Sequence, residues 1–270
     1  FTKIYYYLLN YYKIDNQVIC SDKTSSEHYE IKSDYVENRL KLSVLPKTPI
    51  ELIKTSLVYD YKYNQDARVF VNGYQSWTTS REYKKNDRQK GLMGLGQYLP
   101  VRKFTEIFGD YTFVDYPKRE GIFHSFSYGY INENDELFLV GSLTERQGYT
   151  IIWYDLIENT LSIDKDVEGV TIEKEYNLYD LYTAKGSYNQ VFDKYFSIMG
   201  IKKPKKNFMC GYTSWYNYFG KITEKIITRD LEGMSTLKDK ADIFQIDDGY
   251  QTAVGDWLSV DKEKFPNGMK

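Results

Sequence analysis

Residues 207–248 read NFMCGYTSWYNYFGKITEKIITRDLEGMSTLKDKADIFQIDD, and this stretch decides the fold of the C-terminal part of the chain. Two short apolar runs, 207–213 and 241–246, are typical of strands. Between them Thr223 stands at a helix N-cap position, and apolar residues recur at helical spacing on one face: Ile222, Ile226, Ile227, Leu231, Met234 and Leu237. Strand, helix and strand in this order predict a βαβ unit of a parallel sheet.

Residues 1–185 show a different pattern, in which short apolar or alternating runs are separated by Asn, Asp and Gly. Tyr, Val, Ile and Thr dominate these runs, and such residues suit a pleated, half-buried surface. The polar sequence at 131–136 predicts a hairpin tip. Many short strands with little helical periodicity predict a sandwich of antiparallel sheets. The clearest strand candidates are 40–45, 69–71, 136–143, 150–156 and 170–176.

A single helix closes the sandwich region. Ser187 is a good N-cap, apolar residues recur at helical spacing from 191 to 199, and Gly200 supplies a left-handed stop. The charged run that follows contains Pro204 and predicts a domain boundary. A polyanion-binding patch is the alternative interpretation of this run, and a net charge of -2 favours the linker. We expect a sandwich domain at 1–200, a linker at 201–206 and an incomplete α/β domain at 207–270.

Composition excludes several functional classes. The 36 Lys+Arg residues nearly balance the 38 Asp+Glu residues, so nucleic acid is not an expected partner. Cys20 and Cys210 lie too far apart for a disulfide-rich scaffold, and neither His28 nor His124 has a second ligand at metal-binding spacing. We expect no metal and no cofactor. Tyrosines and charges interrupt every apolar run, so we expect no membrane partner and a cytoplasmic location.

Two adjacent carboxylates, Asp247 and Asp248, directly follow the second apolar strand. Parallel sheets bind ligands at the C-terminal ends of their strands, so this position favours a binding function. Ionised carboxylates only accept hydrogen bonds, which suits the hydroxyls of a sugar. The alternative is that Asp-Asp followed by Gly249 simply forms a turn.

Aromatic residues accompany the carboxylates. Trp215 and Tyr216 follow the first strand, and Trp257 lies in the loop after the aspartates. An indole stacks on the C–H face of a pyranose while neighbouring carboxylates bind its hydroxyls, so Trp215 and Trp257 are candidate sugar-binding residues. For both tryptophans a purely structural packing role is the alternative.

A polar segment from Asn72 to Pro100 shows little periodicity, and a loop of this length is usually functional. Its sequence begins NGYQSW, ending at Trp77. Three glycines occur at 91, 94 and 96, but no Lys-Ser or Lys-Thr follows them, so a phosphate-binding loop is disfavoured.

Four motifs in order along the C-terminal region resemble the start of the catalytic barrel of glycoside hydrolase family 36, the microbial α-galactosidases. They are the sequences GYTSW ending at Trp215, IDDGY containing Asp247 and Asp248, GDW ending at Trp257, and KFPNGMK at 264–270. The NGYQSW segment and the helix near 195 are similar to the N-terminal β-supersandwich of that family. The resemblance implies a mainly β fold, an antiparallel β-supersandwich followed by the truncated start of a (β/α)8 barrel.

The resemblance also implies residue roles. Asp247 and Asp248 match the carboxylates that bind the O4 and O6 side of galactose, Trp215 matches the indole that closes the pocket, and Trp257 is a looser match. The family nucleophile and acid/base lie on later barrel strands, so we expect no catalytic residue in this chain. Tyr212 and Tyr250 stand where tryptophan is usual, and we expect them to retune the subsite.

The resulting expectation is the N-terminal part of a retaining α-galactosidase acting on oligosaccharides such as melibiose and raffinose. This fragment alone is expected to be inactive, and the full-length form is expected to be a homo-oligomer. A non-catalytic carbohydrate-binding or oligomerisation module is the alternative from another class, since a tyrosine-rich sandwich can recognise glycans. An α-N-acetylgalactosaminidase or a transglycosylase also remains open.

Overall fold

The chain forms two compact units, Phe1–Lys202 and Lys203–Lys270, and the division between them falls inside the predicted linker at 201–206. The structure is a computed structural model that describes residues 6–74, 78–90, 114–205, 208–237 and 239–269. Gln75, Ser76 and Trp77 of the NGYQSW segment, and the glycines at 91, 94 and 96, lie outside these ranges.

The described elements of the first unit are thirteen strands and one helix. In chain order they are β1 (Tyr6–Ile14), β2 (Gln17–Ser21), β3 (Tyr29–Val36), β4 (Arg39–Pro46), β5 (Ile50–Asp60), β6 (Arg68–Val71), β7 (Arg81–Lys84), β8 (Ile122–Phe126), β9 (Tyr128–Glu133), β10 (Glu136–Ser142), β11 (Tyr149–Asp155), β12 (Thr160–Ile172), β13 (Tyr176–Gly186) and α1 (Tyr188–Ile198).

These strands form two antiparallel sheets. One sheet has the spatial order β2-β1-β5-β12-β11-β8, and the other has the order β3-β4-β13-β10-β9-β6-β7. Alternating apolar residues of both sheets meet in one buried core, which includes Leu57 and Ile163 of the first sheet and Val69 and Ile131 of the second. The first unit is therefore an antiparallel β-sandwich.

A tyrosine links the two sheets through the core. Tyr179 on β13 is 2% exposed, and its hydroxyl lies 2.5 Å from Thr55 O and 2.9 Å from Ile163 O. Both carbonyls belong to the facing sheet. These contacts provide hydrogen-bond partners for the Tyr179 hydroxyl, which would otherwise be buried without one.

The strand predictions in this unit are confirmed at 40–45, 69–71, 136–143 and 150–156, which coincide with β4, β6, β10 and β11 within a residue. The hairpin tip is also confirmed, because Asn134 and Asp135 turn with positive φ between β9 and β10. The prediction of one strand at 170–176 is wrong. The chain reverses between β12 and β13 at the charged residues Glu173, Lys174 and Glu175, so the run contains the ends of two strands.

Helix α1 begins after Ser187, as its sequence predicts, and it packs on the outer face of the second sheet. Its apolar residues Val191, Phe192 and Tyr195 are buried there. Gly200 has a positive φ of 72° just beyond the helix. The segment expected to be an unbroken loop after Asn72 contains a strand instead, because β7 pairs with β6.

The second unit contains β14 (Gly211–Thr213), α2 (Trp215–Tyr218), α3 (Glu224–Ser235) and β15 (Ile243–Gln245). The two strands pair in parallel, and α3 provides the crossover. This confirms the predicted βαβ unit and the N-cap, since the Thr223 side chain accepts a hydrogen bond from Ile226 N. The strands are shorter than predicted, and Ile222 and Leu237 lie outside the helix, one on each side of it. Among the described residues, no helix combines the length and the apolar character needed to cross a membrane.

Candidate functional site

The candidate site lies where the two parallel strands end. Thr213 pairs with Gln245 as the last matched residues of β14 and β15, so the chain leaves both strands at the same edge of the sheet. Ser214, which is fully buried, connects the two exits. Its main-chain N donates to Gln245 O at 3.2 Å, and its hydroxyl accepts from Asp247 N at 2.9 Å.

The carboxylate of Asp247 is held by the protein through both oxygens. Oδ2 accepts from Gln245 Nε2 at 2.9 Å and from Thr213 Oγ1 at 3.5 Å. Oδ1 accepts from the main-chain N of Asp248 at 2.8 Å. Asp247 therefore connects the ends of the two strands and fixes the main-chain orientation of Asp248.

Asp248 is held by only one of its oxygens. Gln251 is 6% exposed, and its Nε2 donates to Asp248 Oδ1 at 2.8 Å. The same glutamine accepts from Gly249 N through Oε1 at 2.8 Å, so its orientation is fixed. In the described ranges, Asp248 Oδ2 has no hydrogen-bond partner. Both carboxylate oxygens of Asp247 are thus hydrogen-bonded within the chain. Asp248 Oδ2 can still accept a hydrogen bond from a ligand.

Trp215 begins α2 one residue after Ser214, so its main chain is fixed beside the Asp247 amide. Its half-buried indole contacts the Phe219 ring edge-on, with centroids 5.3 Å apart. Trp215 is therefore brought to the same strand edge as the aspartates, as the sequence predicts.

Trp257 lies in the loop that follows Tyr250, and hydrogen bonds join the two ends of this loop. Asp261 N donates to Tyr250 O at 2.8 Å, and the hydroxyls of Thr252 and Ser259 lie 2.6 Å apart. Tyr250 connects to Trp257 through a 3.0 Å hydrogen bond from its hydroxyl to the tryptophan carbonyl. The Trp257 side chain is 60% exposed, and its ring centroid lies 6.5 Å from that of Tyr250.

Tyr212 does not face a ligand position in this arrangement. Its ring stacks on Phe244 at 4.5 Å, and its hydroxyl donates to Asp230 on α3 at 2.6 Å. Desolvation, followed by the hydrogen bond to Asp230, raises the pKa of Tyr212 well above its usual value. Desolvation also acts to raise the pKa of Asp230, but hydrogen bonds from Tyr212, Arg229 and Tyr218 outweigh it and lower that pKa. The tyrosine therefore anchors the crossover helix to the sheet.

A groove of about 590 Å³ lies against the start of α3, lined by Thr223, Glu224, Lys225, Thr228, Arg229, Glu232, Glu263, Lys264 and Pro266. None of the predicted site residues lines it. Two of its charged groups are already engaged, since Glu224 binds Asn267 and Arg229 binds Asp230. Asn267 lowers the pKa of Glu224 through these hydrogen bonds. We therefore place the candidate site at the strand edge rather than in this groove.

In the part of the chain that the structure describes, no group of three or more His, Cys, Asp or Glu side chains is arranged to hold a metal ion. No family model matches the chain.

Sequence reasoning missed the residues that organise the edge, namely Ser214, Gln245, Gln251 and Lys264. Gln251 carries a local signal, because its side chain bonds Gly249 N and the Asp248 carboxylate within three residues. Ser214 carries none, because the partner of its hydroxyl, Asp247 N, is 33 residues away. Lys264 carries no such signal, because its ammonium contacts Gly220 and Gly249, which are at least 15 positions away.

Proposed function

We propose that this chain is the N-terminal part of a retaining α-galactosidase that acts on oligosaccharides such as melibiose and raffinose. One observation carries the proposal: the 2.9 Å hydrogen bond from Asp247 N to Ser214 Oγ, which joins the two motif-bearing strand ends. The sequences around Trp215 and around Asp248 resemble the galactose subsite of glycoside hydrolase family 36, and they meet at one edge.

The chemistry of the edge supports a sugar ligand. Asp248 Oδ2 accepts hydrogen bonds from vicinal hydroxyls, and such charge-assisted bonds are about twice as strong as neutral ones. Trp215 supplies an aromatic face for the C–H groups of the ring. Asp247 keeps Asp248 in place. In this proposal Trp257 contributes from the exposed loop, where it contacts a second sugar unit rather than the galactose ring.

In this proposal the edge binds galactose and does not cleave it. A retaining mechanism needs a nucleophile and an acid/base about 5–5.5 Å apart across the scissile bond. Asp247 and Asp248 are adjacent on one strand exit and approach a ligand from the same side. The two catalytic carboxylates therefore belong to barrel strands outside these 270 residues.

The test uses the complete protein that contains this chain, with an aryl α-galactoside as substrate. We expect Asp248→Asn to lower kcat/KM by about tenfold to a hundredfold, because a lost charge-assisted hydrogen bond costs about 1.5–3 kcal/mol. Asp239→Asn, an exposed aspartate of the same unit, is the matched control and should leave kcat/KM unchanged. Absence of hydrolysis by the parent protein, or normal kcat/KM in Asp248→Asn, would contradict the proposal.

A further inference from the structure

The segment 261–268 crosses the start of α3 and is held there by hydrogen bonds. Lys264 O accepts from Glu224 N at 2.9 Å, which satisfies one of the free amides at the helix N-terminus. Asn267 donates to the Glu224 carboxylate through its main-chain N at 3.0 Å and its Nδ2 at 2.6 Å. Between them Phe265 is 2% exposed in the small core of the unit. The main chain at Lys264 is therefore fixed on both sides.

From this fixed point the Lys264 side chain reaches the two segments that follow the parallel strands. Its ammonium donates to Gly220 O at 3.1 Å and to Gly249 O at 3.0 Å. Gly220 ends the segment that starts with Trp215, and Gly249 directly follows Asp248. One cation thus bonds to both of the segments that carry candidate ligand-binding side chains.

The two segments also touch each other at these glycines. Gly249 has a φ of +114°, and a Cβ there would lie 2.6 Å from Gly220 O. Phe219, the residue before Gly220, has a φ of 49°, which is unfavourable for a bulky side chain. Strained backbone persists only where surrounding contacts hold it, and the Lys264 ammonium supplies such a contact at the adjacent carbonyl.

We propose that Lys264 is a positioning residue that locks the Trp215 segment and the Asp248 segment into one rigid ligand-binding edge. The inference rests on the proposed galactoside-binding role of Asp248. Lys264 does not touch the ligand in this account. It acts through the two carbonyls, and its loss separates the aromatic face from the carboxylate that must engage the same sugar.

The test uses the 270-residue chain with three substitutions: Lys264→Met, which removes the ammonium, Lys264→Arg, which keeps a charged donor, and Lys221→Met, which removes an exposed lysine beside Gly220. Amide hydrogen exchange is followed at Lys221, whose N donates to Tyr218 O, and at Gly249, whose N donates to Gln251. Binding of methyl α-galactoside is measured by ligand-observed NMR.

We expect Lys264→Met to speed exchange at both amides and to raise the Kd for methyl α-galactoside by about tenfold or more, since small misplacements of binding groups carry losses of this order. Lys264→Arg and Lys221→Met should remain within about threefold of the wild type. Unchanged exchange in Lys264→Met, or faster exchange with an unchanged Kd, overturns the proposal.

Two checks keep the outcomes separate. The Ile227 amide, bonded to Thr223 O at the start of α3, reports whether the unit is still folded. If Lys264→Met loses that protection, Lys264→Gln, which keeps an uncharged N–H donor group, is judged by the same criteria. Equal Kd values for the wild type and Asp248→Asn would reject the proposed function, and the exchange data would still decide whether Lys264 holds the two segments.

Discussion

The two units of this chain are ordered by different means. The sandwich has strands of up to 13 residues, and its core joins two sheets through apolar side chains such as Leu57. The second unit has strands of three residues, and the buried apolar residues of its small core are Ile222, Ile227 and Phe265. Hydrogen bonds between side chains and the main chain, centred on Ser214 and Lys264, hold its strand ends. Burial therefore stabilises the scaffold, while polar contacts shape the candidate site.

The largest effect we expect is the unfolding of the sandwich at alkaline pH. Desolvation raises the pKa of the buried Tyr154 and Tyr179 well above the usual value near 10. Unfolded tyrosines ionise first, so the stability from these groups is complete below about pH 10 and is lost as the pH rises toward the folded pKa values.

The measurement compares phenolate absorbance with circular dichroism across the alkaline range. We expect most buried tyrosines to ionise together with loss of the strand signal. Smooth ionisation of all tyrosines near pH 10 with an intact strand signal would show that these residues are not buried as the structure describes.

Truncation of a core side chain should have the next largest effect. Leu57→Ala removes a fully buried side chain between the sheets and should lower the free energy of unfolding by about 2–5 kcal/mol. Urea denaturation gives this value. Val18→Ala, on an exposed position of β2, is the matched control and should change it by less than about 0.5 kcal/mol. Equal effects would mean that Leu57 is not in the core.

The aspartate pair provides an effect of intermediate size. Asp247→Asn places an amide against the Gln245 donor and should destabilise the strand ends by about 1.5–3 kcal/mol, whereas Asp248→Asn should weaken galactoside binding with little change in stability. Urea denaturation and exchange at the Asp248 amide separate the two effects. A loss of stability in Asp248→Asn equal to that in Asp247→Asn would remove the distinction between them.

The smallest effect concerns the helix cap. Thr223→Ala removes the acceptor for Ile226 N and should cost about 1 kcal/mol of stability in α3. Thr228→Ala, at an exposed position within the same helix, should be neutral or slightly stabilising because alanine favours the helix interior. Amide exchange along α3 distinguishes the two variants, and equal behaviour would contradict the cap.

The sequence predicted much of the local structure and little of the sheet order. Alternating apolar residues predicted β10 and β11, and the polar pair Asn134-Asp135 predicted the hairpin between β9 and β10. No local signal indicates that β5 pairs with both β1 and β12, which are distant in sequence. Sheet order depends on how whole faces fit together, which periodicity alone does not encode.

The candidate site, too, could be predicted from the sequence only in part. The position of Asp247 and Asp248 after an apolar run predicted that they would leave a parallel strand near Trp215. The different hydrogen-bonding states of the two carboxylates could not be predicted, because they depend on the donors from Gln245 and Gln251. The contacts of Lys264 require a fold that brings three distant segments together.

The most direct test of the central claim is an NMR titration of the whole chain, labelled with nitrogen-15, with methyl α-galactoside. We expect the amides of 213–215 and 247–251 to shift and those of the sandwich strands β8 to β11 to stay unchanged. Asp248→Asn should abolish the shifts. Methyl β-glucoside is the control sugar and should leave every amide unchanged. Shifts confined to the sandwich would contradict the account and would favour a carbohydrate-binding module instead.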